Sequence, residues 1–460
     1  MREQALANFC QTLRGTVITR DHPDYEEARK LYNGMIDKRP LMIARCTDVA
    51  DVITAVNFGR DNKLPIAIRG GGHNGPGLGS IDDGLVIDLS LMKGVRVDPQ
   101  EQTVRVGAGC VTGDVDHATH AFGQAVPFGI ISTTGVAGLT LSGGHGYLSR
   151  QYGLAVDNLI EADVVLANGS FVVASETQND DLFWALRGGG GNFGVVTSFL
   201  FRTNPAKIVY GGPLIFDLSD AATVMRWYRD FLPSAPIEFY MFFGLQIIPG
   251  GDPFPKEHWG KKTCALVISH NGPPAEAEKA VNDVRATLPK AIIDWVQPIS
   301  YAVLQTLFDG LYPKGLHWYW KGDFVRTLPD AAIEAHLAYA ATLPSAFSGM
   351  HLYPIDGAVR RPRQDAVAWN FRDATWSMAI VAVDPDPKKA PLLKKWARDY
   401  WEAVHPFNLD GAYTNFMMDD EGDARLTAAF GNNYRRLATV KKKYDPANLF
   451  RVNHNIRPAG

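Results

Sequence analysis

Arg69-Gly70-Gly71-Gly72-His73-Asn74-Gly75-Pro76-Gly77 follows directly on the strand-like run Leu64-Pro65-Ile66-Ala67-Ile68 and holds five glycines in nine residues. Glycine tolerates positive φ and carries no side chain, so such a loop lets backbone N–H groups approach a pyrophosphate closely. Two further clusters repeat the chemistry. One is Gly135-Val136-Ala137-Gly138-Leu139-Thr140-Leu141-Ser142-Gly143-Gly144-His145-Gly146, and the other is Gly188-Gly189-Gly190-Gly191-Asn192-Phe193-Gly194. Three loops of this richness within about 125 residues are a poor match to ordinary turns, and the first two are candidate phosphate cradles. The third contains the spacing G-x-G-x-x-G, but its flanks are reversed for a Rossmann fingerprint. A helix-like Asp181–Arg187 precedes it and the strand-like Val195–Phe199 follows, whereas that fingerprint ends a strand and opens a helix.

Around these loops the first 205 residues alternate helix and strand signals. Asp48 is placed to cap a helix with Val49, Val52, Ile53 and Val56 at helical spacing. Leu85–Leu89, Thr103–Val106 and a hairpin from Asp163 to Val173 turning at Asn168-Gly169 read as strands. Beyond Arg202-Thr203-Asn204-Pro205 the glycine clusters stop. Aromatic strands such as Glu238–Phe243 and Thr263–Ile268 alternate with longer helices such as Ala275–Leu288. The final stretch sets Leu437, Val440 and Tyr444 on one helical face. The expected class is α+β, with a glycine-dense α/β domain at 1–205, a domain of aromatic strands and longer helices at 206–410, and a segment of different texture at 411–460.

With 460 residues, two domains are the natural prior. The formal charge is −3 and no basic block exceeds Lys441-Lys442-Lys443, which reads as a solvated helix end. Nucleic acid is therefore not an expected partner. No stretch reaches the ~18 apolar residues of a membrane span, and the first ten residues lack an export signal, so a cytoplasmic protein is expected. Cys10, Cys46, Cys110 and Cys264 lie too far apart for a zinc site or a small disulfide framework and read as reduced thiols.

Taken in order, several stretches resemble the FAD-binding domain of the berberine-bridge-enzyme-like oxidases, within the vanillyl-alcohol-oxidase or PCMH-type superfamily. They are Ile68–Asn74, Leu85–Met92, Gly143–Leu148, Tyr152–Asn158 and Asp181–Val196. Tyr444–Ile456 resembles the same family's C-terminal signature, so the likeness spans nearly the whole chain. It implies a PCMH-type FAD-binding domain of two α/β subdomains at 1–205, a substrate domain with an antiparallel sheet backed by helices at 206–410 and a segment at 411–460 returning to the first, with FAD bound covalently through a ring nitrogen of His73. Many members add a cysteine bond four residues before the glycine that is Gly135 here. This chain has Ile131 there, within Gly129-Ile130-Ile131-Ser132-Thr133-Thr134-Gly135, which implies a single attachment like that of the hydroxy-D-nicotine oxidases.

The resemblance also implies a cofactor-contact set. It comprises Arg69, Gly70, Gly71, Gly72, Asn74, Gly77 and Leu78, then Ile131, Ser132, Thr133, Gly135, Gly138, Gly144, His145 and Gly146, then Asn158, Val196, Asn453 and Asn455. His145 is placed either near the flavin or in structural service of its tight loop. Gly411–Phe416 matches the family's Y-x-N-[YF] stretch, which nominates Tyr413 and Asn415 as catalytic; a Tyr413 phenolate would need stabilisation by a neighbouring cation, for which Arg372 is one candidate, or by hydrogen bonds. Relatives present an acid or amide after that arginine, whereas Trp376-Ser377-Met378-Ala379-Ile380 offers no carboxylate. Aromatics at Phe308, Tyr312, Trp318–Trp320, Phe324, Trp369, Phe371 and Trp376 are expected to be mostly core, with a few facing the flavin. The implied activity is oxidation of a C–H bond beside an alcohol or amine of a small molecule, with dioxygen as acceptor, by a monomer or homodimer. A dehydrogenase using another acceptor, and a flavin protein that has lost catalysis, remain alternatives.

Overall fold

A computed structural model describes residues 3–460. The first half is built on two sheets. In one, Met42–Arg45 and Ile66–Arg69 flank Leu85–Asp88 in parallel, and Thr16–Thr19 pairs antiparallel at the edge. The other is antiparallel, in the order Val95–Asp98, Thr103–Gly107, Val195–Arg202, Leu159–Val165, Phe171–Ser175. Asp48 caps the helix Val49–Asp61 by accepting from the N–H groups of Ala50 and Asp51. The Asn168-Gly169 turn closes the hairpin in which Val165 faces Phe171, with Gly169 at φ +83°.

The second half is an antiparallel sheet in the order Ile293–Asp294, Ile208–Asp217, Lys262–His270, Phe239–Ile247, Gly349–Pro354, Trp376–Asp384, His317–Val325. Side chains alternate across it, as strand geometry requires. Met241, Phe243, Leu266, Ile268, Met350, Leu352, Met378 and Ile380 pack against the helices Ala221–Phe231, Pro274–Thr287, Asp330–Ala340 and Ala390–Val404. The opposite face, with Tyr240, Phe242, Val267, Trp318, Tyr353 and Val381, meets Tyr32, Ala125, Tyr147 and Leu148 of the first half. One face of the sheet is therefore a floor and the other looks toward the glycine loops.

The chain's end returns to the first half: Phe430, Leu437, Val440, Phe450 and Ile456 are buried in the same core as Val104, Phe183 and Phe199. Here one expectation fails. The basic run is not a solvated end throughout, because the Lys441 side chain is fully buried and paired with Asp445 at 2.7 Å. Its helix, Tyr434–Tyr444, turns that position inward, and three acceptors meet the ammonium there.

All four cysteines are free, with Cys10 exposed and the others buried. Among the described residues no helix is long and apolar enough to cross a membrane, and no acid, cysteine or histidine cluster could hold a metal ion.

Candidate active site

A cavity lies where the glycine loops face the antiparallel sheet. One wall is Arg69–Asn74, Leu78, Ile131, Gly135, Gly138 and Val196. The facing wall is Trp318, Trp320 and Tyr353, and the rim is closed by Tyr413–Phe416 and Val452–His454. The loop of Arg69 is tied down by a buried ion pair, its Nη2 donating to Asp88 Oδ2 at 2.7 Å. Two of the loops cross in backbone contact. A Cβ on Gly71 would stand 2.5 Å from the Gly135 Cα, and one on Gly135 would stand 2.4 Å from the Gly71 nitrogen. Any side chain at either position would push the loops apart, so the glycines are a requirement of packing there.

His73 stands in the wall, its ring stacked on Tyr32 with centroids 3.8 Å apart. Withdrawal from water lowers its pKa to about 4, against a smaller opposing hydrogen bond to the Thr133 backbone. The imidazole is neutral at physiological pH and so keeps a ring nitrogen lone pair. His145 lines the cavity as well, buried, with its pKa lowered to about 3 by desolvation and both ring nitrogens without a protein partner. That places it at the site, and its neighbours Gly144 and Gly146 stand behind the wall in the turn that presents it.

The Tyr413 hydroxyl accepts from Gly144 N at 3.2 Å and from Asn415 Nδ2 at 2.8 Å, and donates toward the Leu139 carbonyl at 3.4 Å. Burial pushes it up to about 12, with those two donors pulling the other way. The cation expected beside it is elsewhere. Arg372 does not line the cavity; it forks onto Asp157 at 2.6 and 2.7 Å and donates to the Val359 carbonyl. Its role is to join the two halves through a buried bidentate pair, so Arg372 is not the cation beside Tyr413, and the hydrogen bonds from Gly144 and Asn415 are the stabilising partners that hydroxyl has.

Some expected cofactor contacts also stand off the cavity. Asn158 spends its amide on the carbonyls of Tyr152 and Leu154 and accepts from Asn204. Ser132 is bonded to Asp309, Gly77 shapes a turn at φ +71°, and Thr133 and Asn455 sit behind the wall. Conversely, Tyr32, Trp318, Trp320, Tyr353, Phe416 and His454 line the cavity without having been singled out as contacts, as do Gly189, Gly190, Gly191 and Gly194 of the third cluster. That cluster's glycine density was the available signal. For Trp318 and Trp320 the signal was their two-residue spacing, which puts them on one strand face.

The chemistry of the cavity fits a flavin dinucleotide. Two glycine loops offer a backbone cradle that a Cβ would fill. Buried polar atoms along and just behind the walls have no protein partner: Arg69 Nη1, both His145 nitrogens, the indole nitrogens of Trp318 and Trp320, and oxygens of Asn453 and Asn455. Buried polar groups are normally satisfied, and a long ligand with many donors and acceptors would satisfy this set.

Comparison with known proteins agrees. A profile described as the FAD binding domain matches residues 40–175, and one described as berberine and berberine like matches residues 412–457. The chain is 30% identical to an FAD-linked oxidoreductase of Dictyostelium discoideum over 458 residues, covering 99% of this chain and 97% of that one. It is also 30% identical to the (R)-6-hydroxynicotine oxidase of Paenarthrobacter nicotinovorans, covering 98% of each. The crystal structure of 6-hydroxy-D-nicotine oxidase from Arthrobacter nicotinovorans superposes with a TM-score of 0.87 at 26% identity, covering 97% of this chain and 98% of that one. The ordered glycine loops, the C-terminal signature and these full-length likenesses together place the chain in the berberine-bridge-enzyme-like family of FAD-linked oxidoreductases.

Proposed function

We propose that this chain is an oxidase carrying FAD through a single covalent bond at His73, and that it oxidises a C–H bond beside an alcohol or amine of a small, uncharged organic substrate. The observation that carries this reading is His73 itself: a neutral imidazole in the cavity wall, at the glycine loop, with its ring held flat against Tyr32. FAD, when bound, supplies the hydride acceptor and passes the electrons to dioxygen, giving hydrogen peroxide. Single attachment is supported because Ile131 occupies the wall and no cysteine does.

The residues of the chain would do the rest. Backbone N–H groups of the crossing glycine loops would hold the phosphates, and Asn453 and His454 would contact the cofactor from the C-terminal tail. Trp318, Trp320 and Phe416 form an apolar wall that excludes water and offers a flat substrate its faces, while Tyr413 and Asn415 present a hydrogen-bonding edge. Among the described residues no Asp or Glu lines the cavity, and the guanidinium of Arg69 already holds Asp88. A charged substrate would find no counter-charge, which favours a neutral one.

The covalent bond is tested by acid precipitation. Wild-type protein is expected to keep its yellow colour in the pellet and to give a His73 peptide carrying the FAD mass, while His73→Ala should retain only dissociable FAD. Colour released from fully loaded wild type would remove the covalent assignment. The acceptor is tested separately. Photoreduced enzyme mixed with aerated buffer should regain the oxidised spectrum within seconds, whereas return over many minutes, with rapid reaction toward a quinone dye, would make the chain a dehydrogenase. Anaerobic bleaching by glucose, 4-hydroxybenzyl alcohol and (R)-6-hydroxynicotine samples sugars, phenols and alkaloids.

A further inference from the structure

We propose that Tyr353 is the catalytic proton acceptor of this site, with His351 behind it as the positioning residue that takes up the proton Tyr353 gives away. The proposal rests on reading the cavity as the flavin and substrate site.

The pair follows from strand geometry. In Gly349–Pro354, Met350 and Leu352 turn into the helix layer, so His351 and Tyr353, two residues apart, share the opposite face. Tyr353 reaches the cavity wall and its hydroxyl lies 2.8 Å from His351 Nδ1. The tyrosine ring is held by Phe242, His145 and Phe416, with centroids 5.1, 5.4 and 5.9 Å away. Phe242 also packs edge-on against the His351 ring at 5.7 Å. A neutral imidazole carries one N–H, so a hydroxyl donating to Nδ1 places it on Nε2.

The other two cavity tyrosines give their hydroxyls to carbonyls, Tyr413 to Leu139 and Tyr32 to Tyr312, which cannot become proton stores. His145 has no partner on either nitrogen, hence no relay behind it, and among the described residues no carboxylate lines the cavity. Tyr353 is a cavity hydroxyl whose hydrogen bond leads away from the cavity to a base.

The step balances. As a substrate C–H bond breaks and its hydride leaves to the bound FAD, the adjacent O–H or N–H becomes strongly acidic. Its proton passes to the Tyr353 oxygen while the Tyr353 proton passes to His351 Nδ1. The substrate becomes a carbonyl or imine, having lost one hydride and one proton. His351, which is half-buried, returns its proton to water.

The groups facing the pair set its pH range. Burial, with Tyr312 and Tyr147 adding to it, raises the Tyr353 hydroxyl well above its ordinary value, so it acts by relay and not as a standing phenolate. His145 is the other titratable ring against Tyr353, and it too is neutral. No charged group shifts His351, whose pKa burial lowers to about 4. The pair can therefore accept a proton above about pH 4 and loses that capacity as His351 protonates below it.

The test uses FAD-loaded holoenzyme and two readouts. In nitrogen-labelled wild type, NMR is expected to show the His351 ring neutral with the proton on Nε2, and Tyr353→Phe should shift the Nδ1 resonance toward that of a free acceptor. In anaerobic stopped flow, with whichever of glucose, 4-hydroxybenzyl alcohol or (R)-6-hydroxynicotine bleaches the wild type, Tyr353→Phe should slow flavin reduction by ~10²-fold or more. His351→Gln can still accept the hydrogen bond but cannot take the proton. It should keep flavin loading, slow reduction by at least ~10-fold, and abolish the fall in rate below about pH 4. A His351 proton found on Nδ1, or a Tyr353→Phe rate within threefold of wild type with an unchanged pH profile, would overturn the assignment alone. If none of the three probes bleaches wild type, the functional reading falls and the proposal falls with it.

Discussion

Replacing Lys441 by methionine is expected to cost about 3–5 kcal/mol of folding stability, far more than the usual surface lysine substitution. Lys441 and Asp445 have fully buried side chains one helical turn apart. The ammonium donates to Asp445 at 2.7 Å, to the Asn192 carbonyl at 2.6 Å and to the Phe450 carbonyl at 2.9 Å. Asp445 in turn accepts from the backbone N–H groups of Leu449 and Phe450. Methionine fills most of the space yet leaves a carboxylate buried without its cation and two carbonyls without a donor.

The damage should reach the site. Asn192 belongs to the third glycine loop and lines the cavity, and its side chain also bonds the His454 carbonyl and the Ile456 N–H. Looser flavin retention is expected alongside lower stability. Urea denaturation of Lys441→Met, Asp445→Leu and the double variant would check this. The double should lose much less than the sum, because it removes the orphaned charge together with its partner. A single-variant loss below about 1 kcal/mol would mean the pair contributes no more than a surface ion pair.

Lowering the pH from 7 to 5 should remove about 5 kcal/mol of stability, before most carboxylates titrate. Apart from His73, whose ring nitrogen the proposed flavin bond would occupy, burial holds the folded-state pKa of His145 and His336 at about 3 and of His351 and His454 at about 4. Unfolded histidine titrates near ~6.5, so below that pH the unfolded chain takes up protons that the folded one refuses. The stabilisation is therefore present above the unfolded value and is lost as pH falls toward the folded ones. Each histidine contributes ~2 kcal/mol to the loss by pH 5, or ~8 kcal/mol for four.

Asp116 acts in the opposite sense. Its burial raises its pKa to about 7, the Gln305 hydrogen bond opposing. The folded state then holds a proton that the unfolded aspartate releases, offsetting ~3 kcal/mol at pH 5. Urea unfolding at pH 7, 6 and 5 gives the slope directly. A flat profile over that interval would show that the buried imidazoles reach water, or accept protons in place.

The cradle was legible in the chain because its signal is local. Gly71 and Gly135 are required where two backbones touch, Asp48 caps the helix it precedes, and Asn168-Gly169 closes the hairpin it divides. Each is a demand of the backbone at that residue, and residue type alone announces it. The Y-x-N stretch was equally visible and does reach the cavity through Tyr413 and Asn415.

What the sequence by itself determined was therefore the order of elements, the glycine loops, and His73 among them. Only the tertiary structure decided which partners meet. A strand's period of two tells that Trp318 and Trp320 share one face and Tyr319 the other, but not which face looks at the cavity; the helix layer settles that by covering Tyr319. Arg372 was a candidate partner for Tyr413, and Asp157, 215 residues away in the chain, holds it instead. Lys441 looked solvated within a basic run until its helix turned it onto Asn192, 249 residues distant. Charges and hydroxyls choose partners by distance in space, which residue type does not encode, and the Tyr353–His351 pair became recognisable only when its strand was seen to border the cavity.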